Sequence, residues 1–467
     1  MSGADAGPLG REGGEVAVIG LARSGRAVAR VLAARGQKVY ASDAAAGDAV
    51  AQVAAELRAA GVHVDVGAHD LARIARASLV VTSPGVPPTA PPLRAAADAG
   101  IPVVGEVEIA LRLLPDLRCI AITGTNGKTT TTSLIGRILE ALGLHAATVG
   151  NIGAPVVELA LQAHPPEWAA LELSSFQLHD TPSVAPLVGV LTNLSPNHLD
   201  RYDSVDEYYG DKRLLFRNAT PTSRWVLNRD DEAVRGMAAG VPGEQRWFSL
   251  DGEADAWYDR QHDRLVVLGE PLMDRDGLPM LGDHNVANAL AAALAVMIAD
   301  PAHRTPAARG TIADALRASA PLPHRIEPVA DADGVRWIND SKSTNVASTL
   351  VALRGMRGRA VVLLGGRHKG EPYSELIPEL QRVARTVIAY GEAAELIEHD
   401  LGAAVTVERV DGGFDQVVAR AQALARPGDV ILLSPACSSY DMFANYEERG
   451  AAFAKLARAA AAAVQRA

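Results

Sequence analysis

The residues Thr123-Gly-Thr-Asn-Gly-Lys-Thr-Thr130 form a Gly-rich turn that carries a lysine and several hydroxyl groups. The turn follows an apolar run, Arg118–Thr123, and precedes a helical pattern. Backbone N–H groups at the start of such a helix converge on phosphate oxygens, Lys128 adds a positive charge, and the Thr129 hydroxyl can bind Mg²⁺. The first glycine of the usual phosphate loop would fall at Ile122, so the motif is a shortened variant. We interpret the segment as a nucleotide phosphate site rather than a structural turn.

Three ionisable residues downstream of this turn stand where a metal site could form. Glu172 ends the apolar run Trp168–Glu172, and NTPases hold their metal with a carboxylate at a strand end near the phosphate loop. A capping or surface acid is the alternative for Glu172. His198, in a polar loop, is either a metal ligand or a cap, and the residues leave both open. Lys212 lies in a predicted helix, where a solvated lysine is the ordinary interpretation.

Polar residues of the second half of the chain could complete the site. Asn285 and Asn288 share one face of a predicted helix, and a cap explains Asn285 but not Asn288, because Asn is a poor former of helix interiors. Arg325 follows the stiff segment Pro321-Leu-Pro323, and Asp340 ends a strand in a cluster of charged and hydroxyl groups. Each could be a loop or cap residue, but together they predict a site shared between domains.

The apolar runs that must position these residues alternate with helical patterns. The first unit, with Gly20-Leu-Ala-Arg-Ser-Gly25 and then Asp43, is a weak dinucleotide-type pattern, because Ala22 replaces the middle glycine. Composition changes near Gly105 and at the prolines around 321. We therefore predict an α/β fold with a Rossmann-like domain over 1–106, a central phosphate-loop ATPase-type domain with a mainly parallel sheet over 107–321, and a Rossmann-like domain over 322–467. Residues 451–467 are predicted to form a helix.

Composition narrows the classes of function. The chain has 467 residues, 48% hydrophobic and 21% charged, with a net charge of −10, which disfavours nucleic acid and anionic lipid as partners. Two cysteines without metal-ligand spacing suit a reducing compartment. The N-terminus has no signal architecture, and the apolar run 289–299 is too short to cross a bilayer. We expect a cytoplasmic protein with no membrane or nucleic-acid partner.

Seven ordered motifs resemble the Mur ligases of peptidoglycan synthesis over essentially the whole chain after Glu15. The motifs are TGTNGKTT, ELSSFQL, NHLDRY, GDHNVAN, PHRIE, NDSKSTN and SPACSS. The resemblance implies an amide-forming ligase that uses ATP to convert a carboxylate into an acyl phosphate, which the amine of an amino acid then attacks. Within the family it is closest to members that use UDP-N-acetylmuramoyl-L-alanine and D-glutamate. It also implies two Mg²⁺ sites, and we expect a monomer.

The resemblance assigns roles to individual residues. It makes Lys212 a carbamylated lysine, in which CO₂ converts an ammonium into an anionic metal ligand. The implied metal ligands are Thr129, Glu172, His198 and Lys212, and the implied catalytic residues are Lys128, His198, Lys212, Arg325 and Lys342. The implied ATP-binding residues are Gly124, Thr125, Asn126, Gly127, Lys128, Thr129, Thr130, Asn285, Asn288, Arg325 and Asp340. The implied substrate-binding residues are Ala22, Arg23, Ser24, Asp43, Ser83, Asn151 and Gln177 for the nucleotide-sugar, and Thr344, Lys369, Ser439, Tyr440 and Tyr446 around the amino acid.

Other functions compete with this interpretation. Among enzymes, the alternatives are sister ligases that add L-alanine, a diamino acid or a dipeptide, and folylpolyglutamate synthase. The short Rossmann-like N-terminal domain and the set of Thr344, Lys369 and Ser439 favour D-glutamate over these alternatives. A non-catalytic, nucleotide-gated binding protein would not need a carbamate-forming lysine at 212. A dehydrogenase is disfavoured by the missing middle glycine at Ala22 and by the phosphate loop that follows.

Overall fold

The computed structural model describes residues 6–7, 9–11, 13–197, 201–280, 282–320, 323–356 and 358–464. Within these ranges three α/β units follow one another along the chain, each built on its own mainly parallel sheet. The predicted three-part α/β architecture is therefore confirmed. The domain limits at 106 and 321 remain predictions, and Pro321 and Leu322 lie outside the described residues.

The first unit is a five-stranded parallel sheet with the order β5-β4-β3-β6-β7, preceded by a short antiparallel pair, β1 and β2. Counted from its own first strand, this order is 3-2-1-4-5, which is the doubly wound arrangement. Strand β3 is buried at all four positions, as expected for a strand covered on both faces. The strands are β1 (Ala6–Gly7), β2 (Gly10–Arg11), β3 (Val16–Ile19), β4 (Val39–Asp43), β5 (His63–Val66), β6 (Leu79–Thr82) and β7 (Val103–Gly105). The helices are α1 (Arg23–Ala34), α2 (Asp48–Ala59), α3 (Leu71–Ile74) and α4 (Pro91–Asp98).

The central unit is a nine-stranded sheet with the order β16-β15-β14-β13-β12-β11-β8-β10-β9. It is parallel from β9 to β14, and β15 and β16 add an antiparallel edge. The strands are β8 (Arg118–Thr123), β9 (Ala146–Gly150), β10 (Trp168–Glu172), β11 (Val188–Leu191), β12 (Arg224–Asn228), β13 (Glu244–Ser249), β14 (Ala256–Asp259), β15 (Arg264–Val267) and β16 (Glu270–Asp274). The helices are α5 (Glu106–Leu113), α6 (Lys128–Ala141), α7 (Ser175–His179), α8 (Val205–Arg213), α9 (Glu232–Ala238), α10 (Asp283–Ala299) and α11 (Pro306–Arg317), and 3₁₀ turns span Val156–Leu161, Leu214–Phe216, Arg275–Gly277 and Pro301–Arg304.

The last unit is a six-stranded sheet with the order β17-β18-β22-β19-β20-β21, in which only the edge strand β17 is antiparallel to its neighbour. The strands are β17 (Glu327–Ala332), β18 (Val335–Asn339), β19 (Ala360–Gly365), β20 (Ala384–Tyr390), β21 (Val407–Val410) and β22 (Val430–Leu433). The helices are α12 (Val346–Gly355), α13 (Ile377–Val383), α14 (Ala394–Leu401), α15 (Phe414–Leu424) and α16 (Tyr446–Val464), with a 3₁₀ turn at Tyr373–Leu376.

The terminal helix α16 begins earlier than the sequence pattern predicted. We expected a start at 451, but the helix starts at Tyr446 because Asn445 accepts a hydrogen bond from the backbone N–H of Glu448 at 2.7 Å. Asn is a favoured residue just before a helix, since its side chain satisfies a free N–H of the first turn. Residues 465–467 of the predicted helix lie outside the described residues.

The hydrophobic cores show how the three units are joined. One cluster of buried side chains runs from the first sheet through α5 and the turn Val156–Leu161 into the central unit. The clusters of the last unit contain no residue of the first two units. Among the described residues, no helix has the length and apolar character needed to span a bilayer.

Candidate functional site

The predicted phosphate loop connects β8 to α6 at the centre of the nine-stranded sheet. Gly124 and Gly127 have φ angles of +140° and +82°, which only glycine adopts without strain. The side chain of Asn193 fixes the loop: its amide donates to the Asn126 carbonyl at 2.9 Å, and its carbonyl accepts from the Asn126 N–H at 2.9 Å. The N–H groups of the first turn of α6 have no partner within the helix, so this end of α6 is suited to bind anions.

Two lysine side chains donate hydrogen bonds to carbonyl oxygens of the phosphate loop. Lys128 Nζ donates to the carbonyl oxygens of Gly124 at 2.9 Å and Thr125 at 2.7 Å, and Lys212 Nζ donates to the Gly124 carbonyl at 2.7 Å. Burial lowers the pKa of Lys128 to about 8. Lys212 is only 1% exposed, and burial together with the charge of Lys128 lowers its pKa well below the ordinary value. Lys212 is therefore not the solvated lysine that its helix alone would suggest.

Glu172 lies at the end of β10, beside the phosphate-loop strand β8. It is 1% exposed, its Oε1 accepts from the Asn151 amide at 3.1 Å, and its Oε2 has no hydrogen-bond partner among the described residues. Thr129, the second residue of α6, accepts from Lys342 Nζ of the last unit at 3.3 Å. The described part of the chain holds no group of three or more His, Cys, Asp and Glu residues that could bind a metal without other ligands. His198 lies outside the described residues.

A cleft of about 540 Å³ separates the phosphate loop from the last unit. The predicted residues that line it are Asn126, Gly127, Thr130, Asn285, Asn288, Arg325 and Asp340. Asn288 accepts from the Thr131 hydroxyl at 3.2 Å and donates to Asn285 at 3.2 Å, which explains why an amide stands inside an apolar helix.

Arg325 and Asp340 lie on the side of the cleft formed by the last unit. The Nε of Arg325 is buried and has no partner among the described residues. The carboxylate of Asp340 accepts from the hydroxyls of Ser343 at 2.6 Å and Ser434 at 2.7 Å, and burial raises its pKa to about 6. Asp340 thus holds its own loop together while it lines the cleft.

Sequence reasoning missed several residues of this cleft. Asn193 follows β11 in a segment where only His198 was singled out. Ser348 donates to the Asn126 side chain at 2.8 Å across the cleft and lies three residues beyond the motif NDSKSTN. His284 also lines the cleft, and burial lowers its pKa to about 4, so the ring is neutral near pH 7. The signal for His284 was present in the sequence, since it lies inside the motif GDHNVAN.

The residues predicted around the amino acid lie in loops of the last unit. Lys369 Nζ donates to the Thr344 hydroxyl at 3.2 Å. Ser439 is 2% exposed, whereas the neighbouring Tyr440 is 65% exposed. The ring centroid of Tyr446 is 5.3 Å from Lys342 Nζ, so this aromatic residue lies next to the lysine that reaches Thr129.

The residues predicted for the nucleotide-sugar divide between two places. Ala22, Arg23 and Asp43 line a separate cavity of about 600 Å³ at the end of the first sheet, and Asp43 accepts from the Leu21 N–H at 2.7 Å. Ser24 follows in the first turn of α1 but is not among the residues that line this cavity, and Ser83 donates to the Gly20 carbonyl at 3.0 Å.

The other two residues predicted for the nucleotide-sugar belong to the central unit. Asn151 is bonded to Glu172. Gln177 forms a capping box with Ser174 at the start of α7. Asn151 directly follows β9, and Gln177 lies in α7, which follows β10.

This fold and site define a three-part nucleotide-binding protein in which a phosphate loop faces a separate C-terminal α/β unit. Three family models match the chain: the MurD-like N-terminal domain of Mur ligases over residues 14–105, the Mur ligase middle domain over 122–296, and the Mur ligase glutamate ligase domain over 324–437. The chain belongs to the Mur ligase family.

Relatives with curated names match nearly the full length. The chain is 43% identical to the UDP-N-acetylmuramoylalanine--D-glutamate ligase of Chromobacterium violaceum, with 94% of this chain and 96% of the relative covered. It is 38% identical to the ligase of the same name from Acidobacterium capsulatum, with 95% and 96% covered. Solved structures share the fold: MurC from Thermotoga maritima has a TM-score of 0.59 at 17% identity and covers 96% and 99% of the two chains, and MurF from Acinetobacter baumannii has a TM-score of 0.59 at 16% identity and covers 91% of each.

Proposed function

We propose that the chain is an ATP-dependent ligase that joins D-glutamate to UDP-N-acetylmuramoyl-L-alanine through an acyl phosphate. The observation that carries the proposal is the meeting of two units in one cleft, where Lys342 of the last unit reaches Thr129 of the phosphate loop. Phosphoryl transfer and amide formation require a nucleotide and an amine to approach the same carboxylate. The names of relatives 38% and 43% identical over at least 94% of this chain support the choice of substrates.

The proposed reaction has two steps. An oxygen of the alanine carboxylate attacks the γ-phosphorus of ATP, and ADP leaves. The amino nitrogen of D-glutamate then attacks the acyl carbon, loses a proton, and phosphate leaves with the bridging oxygen. A carboxylate is a poor electrophile, so the first step supplies the leaving group that the second step needs.

The described residues fit a nucleotide with Mg²⁺. The unpartnered, buried oxygen of Glu172 and the hydroxyl of Thr129 are hard oxygen ligands, and Mg²⁺ commonly takes one or two protein oxygens together with substrate phosphates. Glu172 and Thr129 would hold the first ion. When bound, Mg²⁺ neutralises phosphate charge and so lowers the repulsion of the incoming carboxylate.

Cationic side chains of this chain would bind the phosphates from both sides. Lys128 would bind the β- and γ-phosphates, and Arg325 and Lys342 would face them from the last unit. Burial lowers the pKa of Lys342 to about 8, and an anionic ligand would favour its protonated form. Asn285 and Asn288 would contact the nucleotide from α10.

Lys212 is suited to become a carbamate. Its lowered pKa favours the neutral amine, whose lone pair attacks the carbon of CO₂ and releases one proton. The product is an anionic oxygen ligand in place of a cation that would repel a metal. We propose that the carbamylated Lys212, with His198, serves a second Mg²⁺ near the reacting carboxylate.

The first unit would bind the nucleotide end of one substrate, and the last unit would bind the amino acid. The cavity at Ala22, Arg23 and Asp43 would take the uridine diphosphate, and the pair Lys369 and Thr344 would take the side-chain carboxylate of D-glutamate. We also expect the enzyme to act as a monomer. Both cysteines are free and buried, in keeping with a cytoplasmic enzyme.

An acceptor screen tests the proposal. Phosphate release would be measured with ATP, Mg²⁺ and UDP-N-acetylmuramoyl-L-alanine against D-glutamate, L-glutamate, L-alanine and diaminopimelate. We expect release with D-glutamate alone. Release with another amino acid would replace the proposed substrate with that of a sister ligase, and no ADP with any of them would overturn the ligase function.

A further inference from the structure

Arg449 carries a buried charge that the mechanism above does not use. Its side chain is 1% exposed and lies in the first turn of α16, directly after the residues that start this helix. Among the residues that the structure describes, Arg449 forms no ion pair with a carboxylate. A buried guanidinium is costly unless its N–H groups are satisfied, so the location of its acceptors identifies what it holds.

The acceptors of Arg449 lie at the end of β19 and in the loops that follow its sheet neighbours β22 and β18. Nε donates to the Ser341 hydroxyl at 3.0 Å, and one terminal nitrogen donates to the carbonyls of Ser341 at 2.9 Å and Cys437 at 3.1 Å. The other terminal nitrogen donates to the carbonyls of Gly365 at 3.3 Å and Ser438 at 3.4 Å. All five N–H groups of the guanidinium are therefore engaged.

Each of these three segments is followed by a residue proposed for the reaction. Ser341 precedes Lys342, and Ser438 precedes Ser439. Gly365 opens the loop to Lys369. One planar group thus fixes the relative positions of three loops that come from β18, β19 and β22.

The same guanidinium also fixes the start of α16. The hydroxyl of Ser341 donates to the backbone carbonyl of Tyr446 at 2.9 Å while it accepts from Arg449 Nε. Tyr446 lies beside Lys342, so its placement depends on the same network.

We infer that Arg449 is a positioning residue of the last unit: it holds Lys369 and Ser439 of the amino-acid site, and Lys342 next to them, in their relative positions without itself touching substrate. This inference rests on the proposed function, because it names the D-glutamate end of the site as the part that Arg449 organises. A lysine at 449 would keep the charge, but a single ammonium cannot span three strand ends as the planar, five-donor group does.

The test compares Arg449→Lys with a control, Arg385→Lys. Arg385 makes two hydrogen bonds to Asp429 at the opposite end of the same sheet, at 2.5 and 2.9 Å. For Arg449→Lys we expect the KM for D-glutamate to rise about tenfold or more while the Kd for ADP rises by less than about threefold, because Lys342 is only one of the groups that would contact the phosphates and the phosphate loop itself belongs to another unit. For Arg385→Lys we expect both constants to stay within about twofold of wild type, even if thermal stability falls.

A second variant, Ser341→Ala, tests the inference if Arg449→Lys does not fold. Ser341→Ala removes the hydroxyl that accepts from Arg449 Nε and donates to the Tyr446 carbonyl, and we expect the KM for D-glutamate to rise about threefold with a smaller change in the ADP Kd. For Arg449→Ala, added guanidinium should restore part of the affinity for D-glutamate, which a loss of general stability would not allow. An unchanged KM in folded Arg449→Lys, or in Ser341→Ala if the former does not fold, would overturn the inference. Wild-type protein inactive with D-glutamate would instead overturn the proposed function.

Discussion

Lys128 and Lys212 donate to the same carbonyl oxygen, that of Gly124, at Nζ–O distances of 2.9 and 2.7 Å. Two ammonium groups on one acceptor repel each other, and both side chains are buried. The protein therefore favours the neutral form of one of them, and the pKa of Lys212 is the one lowered most strongly. Under the proposed function, this relationship would prepare Lys212 for reaction with CO₂ and leave Lys128 to bind the phosphates.

Replacing Lys212 should abolish ligation in a way that a small carboxylate reverses. Lys212→Ala removes the proposed anionic ligand and leaves a space in which acetate or formate can bind, so partial recovery of phosphate release is expected. In ¹³CO₂ the wild type should show a carbamate carbon signal that Lys212→Ala lacks. Full activity of Lys212→Ala at low CO₂ would rule out the carbamate.

Replacing Lys369 should weaken the binding of D-glutamate much more than the binding of ATP. Lys369→Ala removes the positive charge beside Thr344, so we expect the KM for D-glutamate to rise far more than the KM for ATP. Arg367→Ala is the matched control, because Arg367 pairs with Glu392 on the exposed surface. Equal changes in both KM values for Lys369→Ala would mean that the amino-acid site lies elsewhere.

A methyl group at Gly127 should damage nucleotide binding. Its Cβ would clash with Asn288 Oδ1, and Gly127 has a φ of +82°. Gly143 is the control, since it has a φ of +78° at the other end of α6, but a Cβ added there would meet no atom within 4 Å. Both alanine variants should lose about 1–2 kcal/mol of stability from the left-handed backbone, but only Gly127→Ala should bind ADP more weakly by calorimetry. Equal ADP affinity in the two variants would contradict this account of the loop.

The protein should take up protons when it binds nucleotide above neutral pH. The folded protein lowers the pKa values of Lys128 and Lys342 to about 8, so both amines lose protons as the pH rises through that value. Bound phosphate favours the protonated forms and raises both pKa values again. ADP affinity should therefore fall above about pH 8, and calorimetry in buffers of different ionisation enthalpy should show proton uptake that is reduced in Lys342→Met.

The same pKa values predict how stability depends on pH without nucleotide. The unfolded lysines have the ordinary pKa of 10.5, so between about pH 8 and 10.5 the unfolded state binds more protons than the folded state. The free energy of unfolding contributed by these groups should rise across this interval. Denaturation by urea at several pH values would measure the slope, which Lys128→Met should reduce.

The sequence predicted much of the fold because strands buried on both faces have continuous apolar runs. The run Arg118–Thr123 is a strand with these limits, and the expected helices around Lys212 and after Gly282 are present as α8 and α10. The predicted phosphate-loop turn follows from glycines at positions that require positive φ. Asn288 was detectable because an amide is unfavourable in a helix interior unless it has a partner.

Other parts of the site could not be predicted from the sequence pattern of any single segment. Arg449 lies outside every motif that was singled out, and its role depends on three strand ends that meet only in the folded sheet. The start of α16 at Tyr446 was missed because the prediction relied on the alanine-rich pattern that begins at 451 and gave no weight to Asn445 as a helix cap. Ser348 contacts Asn126 across the cleft, and no spacing within one segment encodes such a contact between units.

The central claim is that the acceptor carboxylate becomes an acyl phosphate. Both oxygens of the alanine carboxylate would be labelled with ¹⁸O, and the products of one round of ligation with D-glutamate would be analysed by mass spectrometry. The account predicts one ¹⁸O in each released phosphate and none in ADP. Unlabelled phosphate, or label in AMP, would contradict it.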